Sequence, residues 1–344
     1  MNVTSSSRSQ TGTQGSRTNI DRVAGLYVSR PGATLLAAAG RDINLTAAQV
    51  VNAGQDGTTV IAAGNNLNLA TVTESHSQNL LWNAKNYRKE SSRTDVGTTI
   101  QTQGDLRLQA GNDLNAKAAN VTSEQGALVA AAGRNVNLST GEANQTRDEA
   151  SEVKDKHGWF GSKTRTTRDS VDQTLALGTT LSGNTTTVLA NQDINIKGSN
   201  VVSSQGTVMA AGNNINIEAA TNTLNENHFK NEKKSGLFSS GGIGFTIGKQ
   251  QQSVDNLGGS TSAAASTVGS INGDVIIQAD KRYTQVGSDV LSPQGSIDIA
   301  AQRVEIVEAQ NRSDLSSETR FKQSGLTIAL TSPVISAIHT AKQM

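Results

Sequence analysis

Short runs in which apolar and polar residues alternate recur along the chain. Ile43 and Leu45 flank one asparagine, and Ile194 and Ile196 do the same. Period-two alternation of this kind predicts β-strands with one buried face. Gly, Asn and Asp residues precede each run and suit a tight corner, because they tolerate positive φ.

Each run belongs to a seven-residue phrase of the form Ala-Gly-x-Asp/Asn-Ile/Leu-Asn-Leu. Six clear copies and two divergent ones occur, at 39–45, 63–69, 110–116, 132–138, 190–196, 211–217, 279–285 and 301–307. Within successive pairs the copies are 24, 22, 21 and 22 residues apart, and between pairs the steps are 47, 58 and 68 residues. Roughly 22 residues make three short strands and three turns, with about 4.8 Å between stacked coils. The spacing therefore predicts an all-β, right-handed parallel β-helix (β-solenoid).

An array of amphipathic helices is the alternative. Apolar residues at i and i+2 do not form a helical stripe, and Gly and Asn are poor helix formers. Hydrophobic residues make up 35% of the 344 residues, which is low for a thick globular core but enough for a narrow solenoid. The composition therefore favours the solenoid.

Longer segments between the paired coils have a different composition. These excursions cover about 71–97, 144–178, 222–268 and 310–344, and they hold both tryptophans, all five phenylalanines and all four histidines. They are also charge-rich, as at 230–234. A polar arm, a glycine turn and an alternating strand predict β-hairpins. Such hairpins either project from the rod or fold down over its side.

The predicted organisation has three parts. Residues 1–20 are Ser/Thr/Gly-rich and are expected to be a flexible N-terminal segment without a signal peptide. Residues 21–309 form the solenoid with its excursions, and 310–344 form a terminal excursion and a truncated end. No run of 18 apolar residues is present, so no transmembrane helix is expected.

Apolar side chains near the predicted hairpin turns are candidates for contact with a membrane or another protein. They are Trp82, Trp159, Phe160, Leu237, Phe238, Ile243, Phe245, Ile247, Leu326 and Ile328. The segment from Gly241 to Gly248 places Ile243, Phe245 and Ile247 on one side of an alternating strand.

The sequence contains no recognisable catalytic or ligand-binding motif. The four histidines are far apart and the chain has no cysteine, so neither a metal site nor thiol chemistry is expected. Gly161-Ser162-Lys163-Thr164 lacks the glycine that a phosphate-binding loop has directly before its lysine. A net charge of +1 gives no footprint for nucleic acid. We expect no cofactor and no enzymatic activity, with a carbohydrate-active β-helix as the lesser alternative.

The coil phrase resembles the haemagglutinin repeat of filamentous haemagglutinin-type exoproteins. Three segments narrow the match: Asp-Arg-Val-Ala-Gly-Leu-Tyr-Val at 21–28, Lys-Ser-Gly-Leu-Phe at 234–238 and Gly-Phe-Thr-Ile-Gly at 244–248. They are similar to the second repeat region of CdiA-type proteins of contact-dependent growth inhibition. The similarity covers residues 21–330.

This resemblance implies a secreted filament on the bacterial cell surface, exported by an outer-membrane two-partner-secretion transporter. It implies contact with a target-cell outer membrane or surface receptor, and delivery of a C-terminal toxin or adhesion. The secretion domain and the toxin domain are not recognised here, so the chain is expected to be an internal piece or a truncated product. A passive spacer that only adds reach is the alternative.

Overall fold

The computed structural model describes residues 1–157, 161–239 and 244–329. In these residues the chain forms 32 strands and no helix. In chain order the strands are β1 (Asn2–Thr4), β2 (Ser6–Gly12), β3 (Gly15–Arg22), β4 (Gly25–Val28), β5 (Thr34–Ala39), β6 (Ile43–Thr46), β7 (Gln49–Asn52), β8 (Thr58–Ala63), β9 (Leu67–Ala70), β10 (Val72–Asn83), β11 (Asn86–Val96), β12 (Thr99–Thr102), β13 (Leu106–Ala110), β14 (Leu114–Lys117), β15 (Asn120–Ser123), β16 (Ala127–Ala132), β17 (Val136–Ser139), β18 (Gly141–His157), β19 (Gly161–Leu177), β20 (Thr180–Ala190), β21 (Ile194–Lys197), β22 (Asn200–Ala211), β23 (Asn214–Glu218), β24 (Ala220–Ser239), β25 (Gly244–Ala264), β26 (Thr267–Ser270), β27 (Val275–Ala279), β28 (Arg282–Val286), β29 (Asp289–Leu291), β30 (Ile297–Ala300), β31 (Arg303–Val307) and β32 (Arg312–Ala329).

Two parallel sheets form a rod with three faces. The first face contains β1, β6, β9, β14, β17, β21, β23, β28 and β31, paired in that order. The second and third faces belong to one 14-stranded sheet, because β20 and β22 run through the corner between them. Each coil therefore contributes a strand to every face, and the predicted parallel β-helix is confirmed.

The inward row of the first face is aliphatic over most of its length. Its fully buried members are Ile43, Leu67, Leu114, Val136, Ile194, Ile215 and the aromatic Tyr283, and they stack one above the next through the parallel register. Burial of apolar surface is the main favourable term in folding, and here it is spread along the rod axis. The core is one side chain deep on each face, which agrees with the low hydrophobic content.

Asparagines form a ladder on the outside of the first face. Six of them donate the side-chain amide to the Oδ1 atom of the asparagine in the coil below, at 2.7–2.9 Å, and the first member, Asn2, only accepts. The seven members are Asn2, Asn44, Asn68, Asn115, Asn137, Asn195 and Asn216. The asparagine between the two apolar residues of the repeat phrase therefore ties each coil to the next.

The glycine of the phrase has a steric role. A Cβ atom on Gly133 would collide with the carbonyl oxygen of Gly111 in the coil below. The acidic or amide residue that follows also links coils, since Oδ1 of Asp113 accepts from the backbone N–H of Asn135 at 3.1 Å. The absence of a side chain on this glycine therefore allows the coils to stack closely at this corner.

The remaining nine strands form one antiparallel sheet beside the rod. Their order is β2, β3, β10, β11, β18, β19, β24, β25 and β32, and we call this the hairpin sheet. It consists of the hairpins β2–β3, β10–β11, β18–β19 and β24–β25, followed by β32. Each hairpin pairs edge to edge with the next, and none makes extensive contacts with a strand of the rod. Among the described residues, the hairpins therefore project as one sheet rather than folding down over the rod.

The hairpins leave the rod at the same corner of every second coil. The intervening coils turn that corner tightly, through residues with positive φ at Ala47, Ala118, Gly198 and Gly287. A hairpin is two strands wide, or about 9.6 Å, and two coils rise by the same amount. One hairpin in every second coil therefore fills the sheet without gaps.

Three buried hydroxyl residues fix the hairpin bases to the rod. Each follows the returning strand of a hairpin and donates to a carbonyl oxygen of the first face: Thr98 to Leu45 at 2.7 Å, Thr179 to Ser139 at 2.9 Å and Ser266 to Glu218 at 2.7 Å. Because leaving buried polar groups unpaired is costly, these bonds fix the point at which each of these three hairpins returns to the rod.

The N-terminal segment differs from expectation. Residues 1–20 were predicted to be a flexible linker, but β1 pairs with β6 and extends the rod by one coil. The hairpin β2–β3 then pairs with β10. Apart from Ile20, its residues are polar or glycine, so no alternating pattern marks it as a strand. A neighbouring hairpin stabilises it through backbone hydrogen bonds instead.

The hairpin sheet is a single layer. Its hairpin strands lengthen along the rod from 7 and 8 residues in the first hairpin to 20 and 21 in β24 and β25. Among the strand residues whose burial is described, only Gly141, Ala150 and Ala220 are buried. Both faces of the sheet are therefore open to solvent.

Candidate functional site

The candidate contact residues converge at the outer end of the hairpin sheet. Leu237 in β24 lies directly opposite Ile247 in β25, and Ile247 lies opposite Leu326 in β32. Opposed residues in an antiparallel pair share one face, so these three form a continuous row. They are 66%, 50% and 67% exposed. We call them the tip row, and the face that carries them the front face.

Three glycines form the next row toward the rod. Gly236 lies opposite Gly248, and Gly248 opposite Gly325. A Cβ atom on Gly248 would collide with the carbonyl oxygen of Ser324 in the adjacent strand. The glycines that the sequence places beside the apolar candidates therefore allow β25 and β32 to approach closely beneath the tip row.

The other candidates are not all brought together with the tip row. Trp82 is 67% exposed at the turn of β10–β11, and the register places it about 25 Å nearer the rod than the tip row. Trp159, Phe160 and Ile243 lie outside the described residues. The side chains of Phe238, Phe245 and Ile328 also lie outside that part, although the backbones of Phe245 and Ile328 pair directly.

The side of the hairpin sheet opposite the front face, which we call the back face, carries three cations around one carboxylate. Lys234 and Lys163 place their Nζ atoms 2.8 and 3.2 Å from the carboxylate of Glu232, and Arg165 lies 3.7 Å away. The hydrogen bond from Lys234, with a second from Lys163, lowers the pKa of Glu232 to about 2. The three cations are therefore already partnered within the sheet.

An open groove of about 920 Å³ lies beside the tip row. Exposed Lys233, Lys249 and Lys322 contribute to its lining, with Ser235 and Ser324 between them. Sequence reasoning noted the charge-rich stretch at 230–234 but did not find this grouping. It depends on the register of three strands that are distant in the chain.

A second groove of about 1120 Å³ crosses the middle of the hairpin sheet parallel to the rod. It spans the strands from β10 to β32, and Gly258 and Gly259 line it without side chains that would fill it. Its lining is polar and mixed in charge, with Glu90, Arg147 and Glu226 among its members. This arrangement could accommodate an extended polar chain.

In residues 1–157, 161–239 and 244–329, no group of three or more His, Cys, Asp or Glu side chains is placed to hold a metal ion. On the exposed sheet surface, Nδ1 of His228 lies 2.9 Å from Asp169 and its Nε2 lies 3.9 Å from Glu226. No helix long and apolar enough to cross a membrane is found in the same part of the chain.

Comparison with known proteins gives a consistent family. The sequence model of the family described as "Hemagglutinin repeat" matches residues 81–161 and 158–264, which together make up more than half of the chain. These residues include the hairpins β18–β19 and β24–β25 and the coils between them. No solved structure matches the chain.

The proteins that resemble this chain are much longer than it is. The "tRNA nuclease CdiA" of Escherichia coli (strain STEC_O31) is 35% identical over 323 residues, covering 93% of this chain and 10% of the relative. The "16S rRNA endonuclease CdiA" of Enterobacter cloacae subsp. cloacae is also 35% identical, over 73% of this chain and 8% of its own length. The "Deoxyribonuclease CdiA" of Dickeya dadantii (strain 3937) is 32% identical over 91% and 9% respectively.

The chain thus spans about a tenth of the length of these relatives. Their names describe three different nucleases, yet all three share this segment. The coil phrase, the hairpins and the family match agree with one another. The chain belongs to the haemagglutinin-repeat family and corresponds to a haemagglutinin-repeat region of CdiA-type proteins.

Proposed function

We propose that this chain is a non-catalytic segment of a secreted bacterial surface exoprotein of the haemagglutinin and contact-dependent growth inhibition type. It presents the tip row to a target-cell outer membrane or surface receptor and supports delivery of a C-terminal toxin outside this chain. Export in this proposal uses an outer-membrane two-partner-secretion transporter, which engages a domain also outside this chain. The CdiA names of the relatives support this assignment.

The exposed tip row is the observation that carries the proposal. Leu237, Ile247 and Leu326 lie side by side at the end of the longest hairpin strands, where no described residue covers them. Exposing three large aliphatic side chains together is unfavourable in water and marks a contact surface. Leu237 lies 17 residues after the start of β24 at Ala220, so at about 3.4 Å per residue the strand carries this row roughly 58 Å from the rod.

Vesicle binding tests the proposal directly. The purified chain is expected to co-sediment with vesicles made from outer-membrane lipids. Replacing the tip row with aspartates (L237D/I247D/L326D) should abolish most of that binding, because charged side chains cannot enter the apolar part of a bilayer.

Leu257→Asp with Leu315→Asp is a matched control. Both leucines are exposed on the same sheet, and Leu315 is 81% exposed, but they lie far from the tip row. The control should bind like the parent. Equal binding by the tip-row variant and the parent would show that the tip row is not the membrane contact.

A passive spacer is the second candidate, and the uniform pitch of the rod favours it. Nine stacked strands on the first face span about 40 Å, and further coils would add length. Deleting residues 111–190 removes two coils and one hairpin and joins equivalent positions of the phrase. In a full-length protein, unchanged activity after this deletion would favour the spacer over a contact role for this hairpin.

A further inference from the structure

Four exposed lysines lie on the front face, between the tip row and the rod. The register places Lys156 and Lys249 together in the nearer row of front-face residues. Lys233 and Lys322 lie in the next row. All four side chains are exposed. At about 3.4 Å per residue, the two lysine rows lie roughly 7 and 14 Å from the tip row.

The cations on the two faces of these strands differ in whether a carboxylate lies near them. On the back face, Lys163, Arg165 and Lys234 surround the carboxylate of Glu232. For the four front-face lysines, no carboxylate among the described residues lies within 4.0 Å of an Nζ atom. The other side chains in these two rows are neutral, apart from a fifth lysine, Lys154, in the second row. Lys154 is paired, because its Nζ atom lies 3.7 Å from the carboxylate of Glu152. The front face therefore carries unneutralised positive charge.

Three of these lysines surround one site. Lys233 and Lys322 flank Gln251 from opposite sides, and Lys249 lies two residues away along the central strand. From the strand and residue spacings, their Cα atoms form a triangle with sides of about 8–10 Å. Flexible lysine side chains bind phosphate as point charges, and those on such a triangle can converge on one group. The open groove at this position leaves room for it.

We propose that the front-face lysines bind the phosphate groups of anionic lipid headgroups while the tip row enters the apolar boundary of the same membrane. This inference rests on the proposed function and adds its ligand chemistry. Apolar side chains at an interface enter by about 5–10 Å, which brings lysines 7–14 Å behind them to the level of the headgroups. Lysines near an anionic surface strengthen binding, and salt weakens it.

The experiment measures the partition coefficient of the whole chain on two kinds of vesicle, one of phosphatidylcholine alone and one with 30% phosphatidylglycerol. The parent should bind the anionic vesicles far more strongly, and K233Q/K249Q/K322Q should lower that binding on the order of a hundredfold. Binding to phosphatidylcholine alone should change little. The charge-matched back-face control K163Q/R165Q/K234Q should retain most of the preference for anionic vesicles, and K233R/K249R/K322R should restore it.

Each outcome decides between distinct claims. If the front-face variant binds anionic vesicles as well as the parent, or if both triple variants lose binding equally with their circular dichroism intact, the lysine site is refuted. Full release by millimolar inorganic phosphate at constant ionic strength would identify a free-anion site and overturn the lipid assignment. Binding to phosphatidylcholine that needs the tip row but ignores lipid charge would refute this inference alone. Absence of binding to both vesicles would refute the membrane contact as well.

Discussion

The side-chain amide of Asn137 donates a hydrogen bond to Oδ1 of Asn115, one coil below, at 2.8 Å. Its own Oδ1 accepts from Asn195, one coil above, at 2.9 Å. Asn137 is therefore paired in both directions along the rod. The same chemistry repeats from Asn2 to Asn216, so each link supports its neighbours by polarising them.

Asn137→Ala should destabilise the rod by about 1–2 kcal/mol, because it leaves an acceptor on Asn115 and a donor on Asn195 without their partner. Urea unfolding followed by circular dichroism measures the loss. Asn272→Ala is the control, since Asn272 is an exposed turn residue outside the ladder, and it should change stability by less than about 0.5 kcal/mol. Equal effects of the two changes would argue against a stabilising ladder.

Thr179→Val should cost about 1–3 kcal/mol although it preserves shape. The hydroxyl of Thr179 donates to the carbonyl of Ser139 at 2.9 Å and accepts from the N–H of Ala119 at 3.2 Å, and the residue is fully buried. Hydrogen exchange should show faster opening at the base of β18–β19. The same substitution at Thr187, which lies on the outward side of β20, should be close to neutral. A stable T179V protein would show that the hydroxyl does not anchor the hairpin.

The stability of the outer hairpin should fall in strong acid. The folded-state pKa of Glu232 is about 2, below its usual value near 4.5. A lowered folded pKa contributes stability above the unfolded pKa, and this contribution is lost as the pH falls from about 4.5 through 2. The carboxyl resonance of Glu232 should titrate in that acid range by NMR, and E232Q should lose the corresponding pH dependence. Titration near pH 4.5 would mean that the pairs with Lys163 and Lys234 do not persist in solution.

The purified chain should self-associate through the β29–β31 end of the rod. Among the described strands, β31 pairs only with β28, and it exposes Val304, Ile306 and Val307. An unpaired apolar edge is a template for another strand, and a lysine placed there opposes such pairing. Sedimentation velocity should show concentration-dependent oligomers that Ile306→Lys suppresses. A strict monomer over a wide concentration range would contradict this expectation.

The rod could be predicted from sequence because its signal is local. Alternation around Asn44 or Asn195 reports one buried face, and the regular spacing reports the coil. The aspartates expected at the corners include Asp42 and Asp193, and each accepts a backbone N–H from the next coil, of Asn66 and Asn214 respectively.

The hairpin sheet could not be predicted as a single body, because its order comes from pairing between segments far apart in the chain. Lys249 and Lys322 become neighbours through β25 and β32, and neither strand has a buried face among its described side chains. The same absence of a buried face hid the hairpin at 6–22. Candidates such as Leu237 and Leu326 were found by composition, and only the register shows that Ile247 lies between them.

The equality of one hairpin width with two coil rises has a consequence for how such proteins evolve. Loss of one tight-cornered coil, for example residues 111–132, would leave two hairpins rooted on adjacent coils with space for only one strand. Gain of a single plain coil would open a slot that no strand fills. The geometry therefore favours the loss or gain of coils in pairs, which would change the length of the rod in steps of about 9.6 Å.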